Sequence, residues 1–173
     1  MRAREALNLT IADVDLPNAL LRVRDTKFFK SRWVPIGRDL ARVLSEYAHR
    51  RGLTHLTAGG ESRFFLGRGG AAIHLRTLEL AFQRLRDRAQ VRRSEEARYQ
   101  PRLHDLRHTF AVHRLTEWYR RGADVQRLLH HLSVYLGHAH LAATQVYLSL
   151  TPELLHEAGT RFERYARRGD GHA

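Results

Sequence analysis

The apolar positions over most of this chain recur three and four residues apart, the spacing of one face of an α-helix. Five stretches follow this period and predict amphipathic helices. Their apolar members are Leu40, Val43, Leu44, Tyr47 and Ala48; Leu78, Ala81, Phe82, Leu85 and Ala89; Leu106, Phe110, Leu115 and Trp118; Val125, Leu128, Leu129 and Leu132; and Leu154, Leu155, Ala158 and Phe162, followed by Tyr165. The chain is therefore predicted to be mainly helical.

The first 36 residues have a different pattern. A short helix is predicted to begin over residues 4–9, followed by a turn around Asp13–Asp15. The runs Asn18–Arg24 and Arg32–Ile36 are rich in β-prone residues and flank the polar stretch Asp25–Ser31. Two such runs around a short polar segment predict an antiparallel hairpin.

Loop signals separate the remaining elements. Gly59–Gly70 is glycine-rich and predicts a loop with one short strand, and the charged stretch Arg92–Arg98 predicts a solvated loop. Gly122 is predicted to end one helix, and Thr151-Pro152 to begin the last. Without any internal repeat, the pattern predicts one domain over residues 1–173, of the α+β class, mainly α-helical with a small antiparallel β-sheet.

Charge narrows the class of partner. The chain has 30 Lys and Arg against 18 Asp and Glu, a formal net charge of +12. Such an excess favours a polyanion, with nucleic acid ahead of a membrane surface because no basic amphipathic anchor is evident. No apolar run approaches the length of a bilayer span. Cysteine is absent, which excludes disulfides and thiolate metal sites.

Candidate chemistry is concentrated in three C-terminal segments. They are His104-Asp105-Leu106-Arg107-His108, then Leu136-Gly137-His138, and Tyr147 nine residues later in a predicted short helix over 142–148. Upstream, Arg2-Ala3-Arg4-Glu5-Ala6-Leu7 opens the chain, and Lys27 lies in the predicted hairpin turn before Lys30-Ser31-Arg32-Trp33-Val34-Pro35.

In this order and spacing, these segments resemble the tyrosine recombinase (phage integrase) family, from Arg2 to about Phe162. The resemblance implies the catalytic-domain fold of that family and site-specific DNA recombination or integration. DNA strands would be cleaved and rejoined through a 3′-phosphotyrosyl intermediate. It further implies double-stranded DNA as partner, self-association on DNA into a tetramer, and a cytoplasmic, prokaryotic enzyme bound to the nucleoid. It implies no cofactor and no metal.

The resemblance also assigns roles to six residues. Tyr147 corresponds to the nucleophile, and Arg2 and Arg107 to the arginine pair that clamps the scissile phosphate. Lys27 corresponds to the general acid. His104 would help to take the tyrosine proton, and His138 would bind a phosphate oxygen.

These roles agree with the chemistry of phosphoryl transfer. Negative charge accumulates on the non-bridging oxygens, and positioned guanidinium groups stabilise it. A free phenol is almost fully protonated at neutral pH, so an attacking tyrosine needs a base or a cationic field. The departing 5′-oxygen needs a proton, which a lysine can supply.

Other interpretations compete with this one. Tyr147 alone would fit a half-buried helix aromatic, although Tyr135 fits that description better because it precedes Leu136 on the predicted core-facing stripe. The histidine pairs 104/108 and 138/140 make a zinc site conceivable. A zincin motif would need a glutamate after the first histidine, where this sequence has the shorter Asp105, and no third ligand is evident. A type IB topoisomerase shares the pocket chemistry but fits the length and the spacing from His138 to Tyr147 less well.

Members of the family normally carry an N-terminal core-binding domain and a further helix before the first arginine. In this sequence Met1 directly precedes Arg2. We therefore expect the core-binding domain to be absent and Arg2 to be loosely held. The alternative function is a catalytically impaired remnant that acts as a DNA-binding or interaction module. The last predicted helix, from Pro152 to about Tyr165, is expected to dock onto a neighbouring protomer on DNA.

Overall fold

A computed structural model describes residues 1–24, 31–54, 60–93, 98–138, 140–148, 155–160 and 163. These residues form two compact units, Met1–Leu103 and His104–Ala173. The first unit combines helices with a small sheet, and the second is helical, so the predicted class, α+β and mainly α, is confirmed. The prediction of one domain over the whole chain stays a prediction.

The first unit contains a three-stranded antiparallel sheet in the order β1-β2-β3. Its strands are β1 (Val14–Asp15), β2 (Leu20–Val23) and β3 (Arg32–Pro35). Leu21 pairs with Val34, and both are buried; the neighbouring pair, Arg22 and Trp33, is exposed. Because strand side chains alternate between the two faces, this register gives the sheet one apolar and one solvent face. The pairing of β2 with β3 confirms two strands of the predicted hairpin, while its turn, residues 25–30, lies outside the described residues.

The polar turn before β1 is fixed by Asp13, which is almost fully buried. The backbone N–H and the hydroxyl of Thr10 donate to Asp13 Oδ2 at 3.1 and 2.9 Å, and Arg24 forms an ion pair with the other oxygen. These partners offset the cost of burying a carboxylate. The predicted turn at 13–15 is therefore wrong in part, because Val14–Asp15 is a short strand that follows a 3-10 turn, Ile11–Asp13.

The described part of the first unit has three α-helices, together with a 3-10 turn at Arg68–Gly70. They are α1 (Ala3–Leu7), α2 (Arg38–Thr54) and α3 (Leu75–Arg88). Leu44 of α2 is buried, and Tyr47 contacts the rings of Phe64 and Phe65 while its hydroxyl accepts the Leu66 N–H at 3.0 Å. The glycine-rich segment holds isolated bridges, Thr10 to Arg63 and Leu66 to Ala72, in place of the predicted short strand.

Helix α3 forms where the pattern predicts it, but its apolar stripe is not buried. None of its residues is buried, and Leu85 is 63% exposed. The periodicity thus identified the helix correctly without predicting burial.

The second unit is built on α4 (Asp105–Arg120) and α5 (Val125–Leu136). The Asp124 carboxylate caps α5 by accepting the Arg127 N–H at 3.1 Å, and Gly122 adopts a φ of 68° between the helices. The chain continues into α6 (Ala142–Gln145) and a 3-10 turn, Val146–Leu148, and residues 155–160 are helical. Its buried core consists of Ala111, Leu115, Val125, Leu129, Leu132, Leu136 and Tyr147.

The helical segment at 155–160 contacts the end of α4 in the same chain. Arg120 Nε donates to Glu157 Oε1 at 2.8 Å, while Leu155 is 58% exposed. The Glu157 carboxylate raises the pKa of Arg120 through this hydrogen bond and its charge. Docking of this helix onto another protomer stays a prediction. Among the described residues, no helix is long and apolar enough to cross a membrane.

Candidate active site

Arg107 lies in the first turn of α4, one turn after His104. His104 is the residue before the helix, and its carbonyl accepts the Arg107 N–H at 3.1 Å. The His104 side chain is exposed, whereas Arg107 is half-buried. The helix start therefore holds a guanidinium group against the body of the unit and leaves an imidazole at the surface.

His138 follows α5 directly because Gly137 ends that helix. Gly137 has a left-handed backbone, with φ 74° and ψ 43°, which glycine adopts without strain. Its N–H donates to Ser133 O at 2.9 Å, and the His138 N–H donates to the same oxygen at 3.0 Å. Such bonds satisfy the last carbonyls of a helix, and buried Leu136 anchors the turn. The Leu136-Gly137-His138 segment thus fixes the backbone of His138 directly after the end of α5.

Tyr147 lies in the 3-10 turn after α6 and is 9% exposed. Its ring belongs to the core cluster of the second unit and meets two imidazoles. The ring centre of His108 is 5.0 Å away at an interplanar angle of 65°, and that of His138 is 6.1 Å away at 24°. Packing therefore restricts the rotamer of this tyrosine, so its hydroxyl has a defined direction.

His108 is a neighbour of Tyr147 that the sequence reasoning did not assign to the site. Its position four residues after His104 suggests, in the sequence alone, only a zinc pair. Because residues four apart lie on one side of a helix, the same spacing was a usable signal for a residue of the pocket wall. Among the described residues, no group of three or more metal-ligating side chains is close enough to hold a metal ion.

Tyr135 is a half-buried helix aromatic, as the sequence suggests, but it is not a member of the buried core cluster of the second unit. It is half-buried and stacks on Phe110 of α4, with ring centres 5.5 Å apart and planes 22° apart. Phe110 is itself 36% exposed, and the guanidinium carbon of Arg114 lies over the Phe110 ring, 5.8 Å from its centre. The tyrosine in the core is therefore Tyr147, and Tyr135 belongs to an aromatic pair near the surface.

Arg2 belongs to the first unit, where it precedes α1. Its backbone N–H donates to Glu5 Oε2 at 2.7 Å, and its Nη1 lies 3.6 Å from Glu5 Oε1. Arg32 of β3 donates to the same carboxylate, Nη2 to Oε2 at 2.8 Å. Arg2 is therefore held at its backbone and near its guanidinium group, contrary to the expectation of a loosely held residue, although its side chain is 41% exposed.

The Glu5 carboxylate connects α1 to the sheet. Burial would raise its pKa, but the hydrogen bonds from Arg32 and from the Arg2 N–H, together with nearby positive charge, lower the pKa below its ordinary 4.5. Glu5 is thus ionised at neutral pH. Lys27, the remaining predicted site residue, lies outside the described residues.

Comparison with known proteins shows which family the chain resembles. The family model for the phage integrase family matches residues 1–153. The protein y4rB of Sinorhizobium fredii, named as a candidate integrase/recombinase, is 42% identical over 165 residues, which are 95% of this chain and 52% of that protein. The tyrosine recombinase XerC of Chlorobaculum tepidum is 35% identical over 165 residues, covering 93% of this chain and 45% of the relative.

Solved structures give the same result for the fold. The crystal structure of XerA recombinase matches with a TM-score of 0.70 and 30% identity, over 93% of this chain and 53% of that one. XerH site-specific recombinase, in a post-cleavage complex with a palindromic difH substrate, matches with a TM-score of 0.66 and 26% identity, over 94% and 42%. The chain spans about half the length of these relatives.

Proposed function

The chain belongs to the phage integrase family, an enzyme family of tyrosine recombinases, and on that basis we propose that it cleaves and rejoins double-stranded DNA at specific sites through Tyr147. The observation that carries the proposal is the packing of the Tyr147 ring against the imidazoles of His108 and His138. A tyrosine that only fills the core needs no histidine neighbours, whereas a tyrosine that attacks a phosphate needs polar groups beside it.

In the proposed reaction, the Tyr147 oxygen attacks the scissile phosphorus while its proton passes to a base, a role we assign to His104. The new phosphorus–oxygen bond forms as the bond to the 5′-oxygen breaks. Lys27 gives a proton to that oxygen. The products are a 3′-phosphotyrosyl enzyme and a 5′-hydroxyl end, so the bond energy is retained for rejoining without a nucleotide cofactor.

Charge stabilisation is assigned to Arg107, Arg2 and His138. Two guanidinium groups donate paired hydrogen bonds to phosphate oxygens, and charge-assisted bonds of this kind are stronger than neutral ones. The half-buried position of Arg107 supports its role, because an electrostatic interaction is stronger where water is partly excluded. The rotamer restriction on Tyr147 supports its role as well, since oriented nucleophiles react faster than mobile ones.

Double-stranded DNA is the partner that the charge favours. The net charge of +12 suits contacts to the phosphate backbone, and the relative XerH was solved on its DNA substrate. We further propose that copies of this chain assemble on DNA into a tetramer. This assembly would lie in a prokaryotic cytoplasm and be associated with the nucleoid while it is bound to DNA.

The proposal is tested with a suicide substrate, a duplex nicked so that a cleaved strand is lost and the covalent enzyme accumulates. Incubation with the 173-residue chain should give a protein–DNA adduct that survives denaturation. Tyr147→Phe should abolish it, because phenylalanine keeps the ring packing and removes the nucleophile. Tyr135→Phe, the matched control, should form the adduct like the parent. Loss of the adduct in the Tyr135 variant, with retention in the Tyr147 variant, would overturn the assignment.

A further inference from the structure

Thr144 is a buried polar residue to which the proposed reaction gives no role. It lies in α6, one turn before Tyr147, and its relative exposure is 0%. Its hydroxyl oxygen is 2.6 Å from Nδ1 of His138. Among the residues that the structure describes, this is the hydrogen bond of the Thr144 side chain, and it reaches a member of the candidate site.

The direction of this bond follows from what each atom has to satisfy. A threonine hydroxyl has one hydrogen to donate, whereas Nδ1 of a neutral imidazole either donates or accepts. If Nδ1–H donated, the hydroxyl hydrogen would be left without an acceptor at a site that excludes water. Buried donors rarely lack an acceptor, because the free energy lost when the donor leaves water is then not offset by a hydrogen bond. The hydroxyl therefore donates and Nδ1 accepts.

We propose that Thr144 is a positioning residue for the active site, whose hydroxyl donates to His138 Nδ1 and keeps the proton of the neutral ring on Nε2. A ring with this tautomer directs an N–H donor away from Thr144. The inference rests on the proposed function at one point, the assignment of that Nε2–H to a phosphate oxygen. In a neutral histidine, the hydrogen bond made by one ring nitrogen commonly decides whether the other ring nitrogen carries the proton.

The same bond connects the histidine to the segment that carries the nucleophile. The Thr144 N–H donates to Leu141 O at 2.8 Å within α6, and Tyr147 follows in the next turn. The Tyr147 ring lies nearly parallel to that of His138, at 6.1 Å between centres. Thr144 thus fixes both the proton of His138 and the distance of His138 from the tyrosine segment.

The tautomer is measured directly by ¹⁵N NMR on the 173-residue chain with labelled histidine, at mildly alkaline pH where a histidine is ordinarily neutral. The His138 signals are identified by their loss in His138→Gln. The expected spectrum has an unprotonated Nδ1 and a protonated Nε2, and Thr144→Val shifts the ring toward a mixture of tautomers. A protonated Nδ1 in the parent chain, in either a neutral or a charged ring, overturns the proposal whatever the enzymatic activity.

The functional consequence is measured as the single-turnover rate of adduct formation on the suicide substrate. Thr144→Val keeps the shape of the side chain and removes the hydroxyl, so the rate should fall roughly tenfold, the effect of one ordinary hydrogen bond. Thr144→Ser keeps the hydroxyl and should restore the rate to within about twofold of the parent. The dissociation constant for DNA should change little among the three chains, because many phosphate contacts besides that of His138 contribute to binding.

Two controls separate the possible failures. In a His138→Gln background, Thr144→Val should cause no further loss, because Thr144 acts through His138; an undiminished additional loss overturns the positioning role. If Tyr147→Phe still forms the adduct, the proposed function fails, while the NMR result continues to decide the inference. Should Thr144→Val lower the thermal stability too far for assay, Thr144→Ser decides by its NMR spectrum and rate, and a changed tautomer there contradicts the proposal.

Discussion

Glu5 is the residue whose environment has the clearest consequence for stability. Its carboxylate is about 10% exposed and accepts hydrogen bonds from Arg32 and from the Arg2 N–H. Because these partners lower its pKa below the ordinary 4.5, the folded chain binds its proton less tightly than the unfolded chain does. The resulting stabilisation is present above pH 4.5 and is lost as the pH falls through the lower pKa of the folded state.

Glu5→Gln should therefore destabilise the chain at neutral pH, by about 1–3 kcal/mol, the usual effect of losing hydrogen bonds to a charged group. It should also remove part of the decline in stability below pH 4.5. The measurement is thermal unfolding followed by circular dichroism over a series of pH values. Glu46→Gln is the control, because Glu46 forms an exposed helical pair with Arg42. An equal loss in both variants would contradict the role given to Glu5.

For single residues, the sequence predicted the burial of some side chains correctly and of others wrongly. Leu115 and Leu129 are buried as the periodicity predicts, but Leu106 and Phe110 of the same stripe are 55% and 36% exposed, and Ala111 is buried instead. A helical repeat identifies apolar faces, whereas which face is covered depends on the partner element. The burial of Thr144 and the ring contact of His108 with Tyr147 depend on such tertiary contacts as well.

Among the elements, α5 has the most explicit start. The Asp124 carboxylate accepts the Arg127 N–H at 3.1 Å, which satisfies one of the unpaired donors in the first turn. Asp124→Ala should cost about 1 kcal/mol of unfolding free energy, whereas Asp124→Asn should cost less because an amide oxygen still caps. Chemical denaturation measures both. Gln126→Ala, at an exposed position of α5, is the control and should change stability by less than about 0.5 kcal/mol.

The helical segment at 155–160 gives a second prediction for an element. An exposed ion pair such as Arg120–Glu157 contributes little to stability, and Leu155 is exposed. If the segment serves another protomer, deletion of residues 152–173 should leave unfolding cooperative and remove DNA-dependent assembly and strand exchange. Calorimetry and native gel electrophoresis with DNA measure the two effects. A truncated chain that unfolds or aggregates would show that the helix completes its own core.

Most helices could be predicted because a helix is determined mainly by residues close together in the sequence. The helices follow the apolar repeat, and Asp124 and Gly137 cap the two ends of α5 in the structure. Strand β1 was missed because two residues, Val14 and Asp15, become a strand only by pairing with Leu21 and Leu20. This pairing depends on where the chain reverses direction after β1, and the two residues of β1 do not indicate that position.

For the whole molecule, charge and length together determine the expected interaction with DNA. The chain carries a net charge of +12 and spans about half the length of its relatives. Contacts to phosphates position a protein without reading sequence. They weaken as the salt concentration rises, because the counterions that binding releases from DNA then gain less entropy. The chain alone should therefore bind duplex DNA with a dissociation constant on the order of 10⁻⁴–10⁻⁶ M at physiological salt.

Fluorescence anisotropy with duplexes of unrelated sequence measures this affinity over a salt series. We expect equal affinities for the different sequences and a steep decline with salt. Tight, sequence-selective binding at physiological salt would contradict this prediction, because it would show that this chain alone makes base contacts in addition to phosphate contacts.

The sequence could predict those residues of the candidate site that belong to short motifs. Order and spacing predict His104, Arg107, His138 and Tyr147 as site residues, and the structure gives Tyr147 and His138 a ring contact. What spacing does not encode is the neighbourhood of each group, such as the Thr144 hydroxyl on His138 or the Glu5 carboxylate beside Arg2. Those contacts arise when elements pack.

The central claim is that Tyr147 becomes covalently joined to the 3′ side of the cleaved strand, and the linkage itself is the most direct test. The adduct from the suicide substrate is digested with protease and nuclease, and the remaining nucleotide-bearing peptide is sequenced by mass spectrometry. The account predicts a phosphodiester between Tyr147 and a 3′-oxygen, together with a free 5′-hydroxyl on the released strand. A nucleotide on any other residue, or a 5′-phosphate linkage, would contradict it.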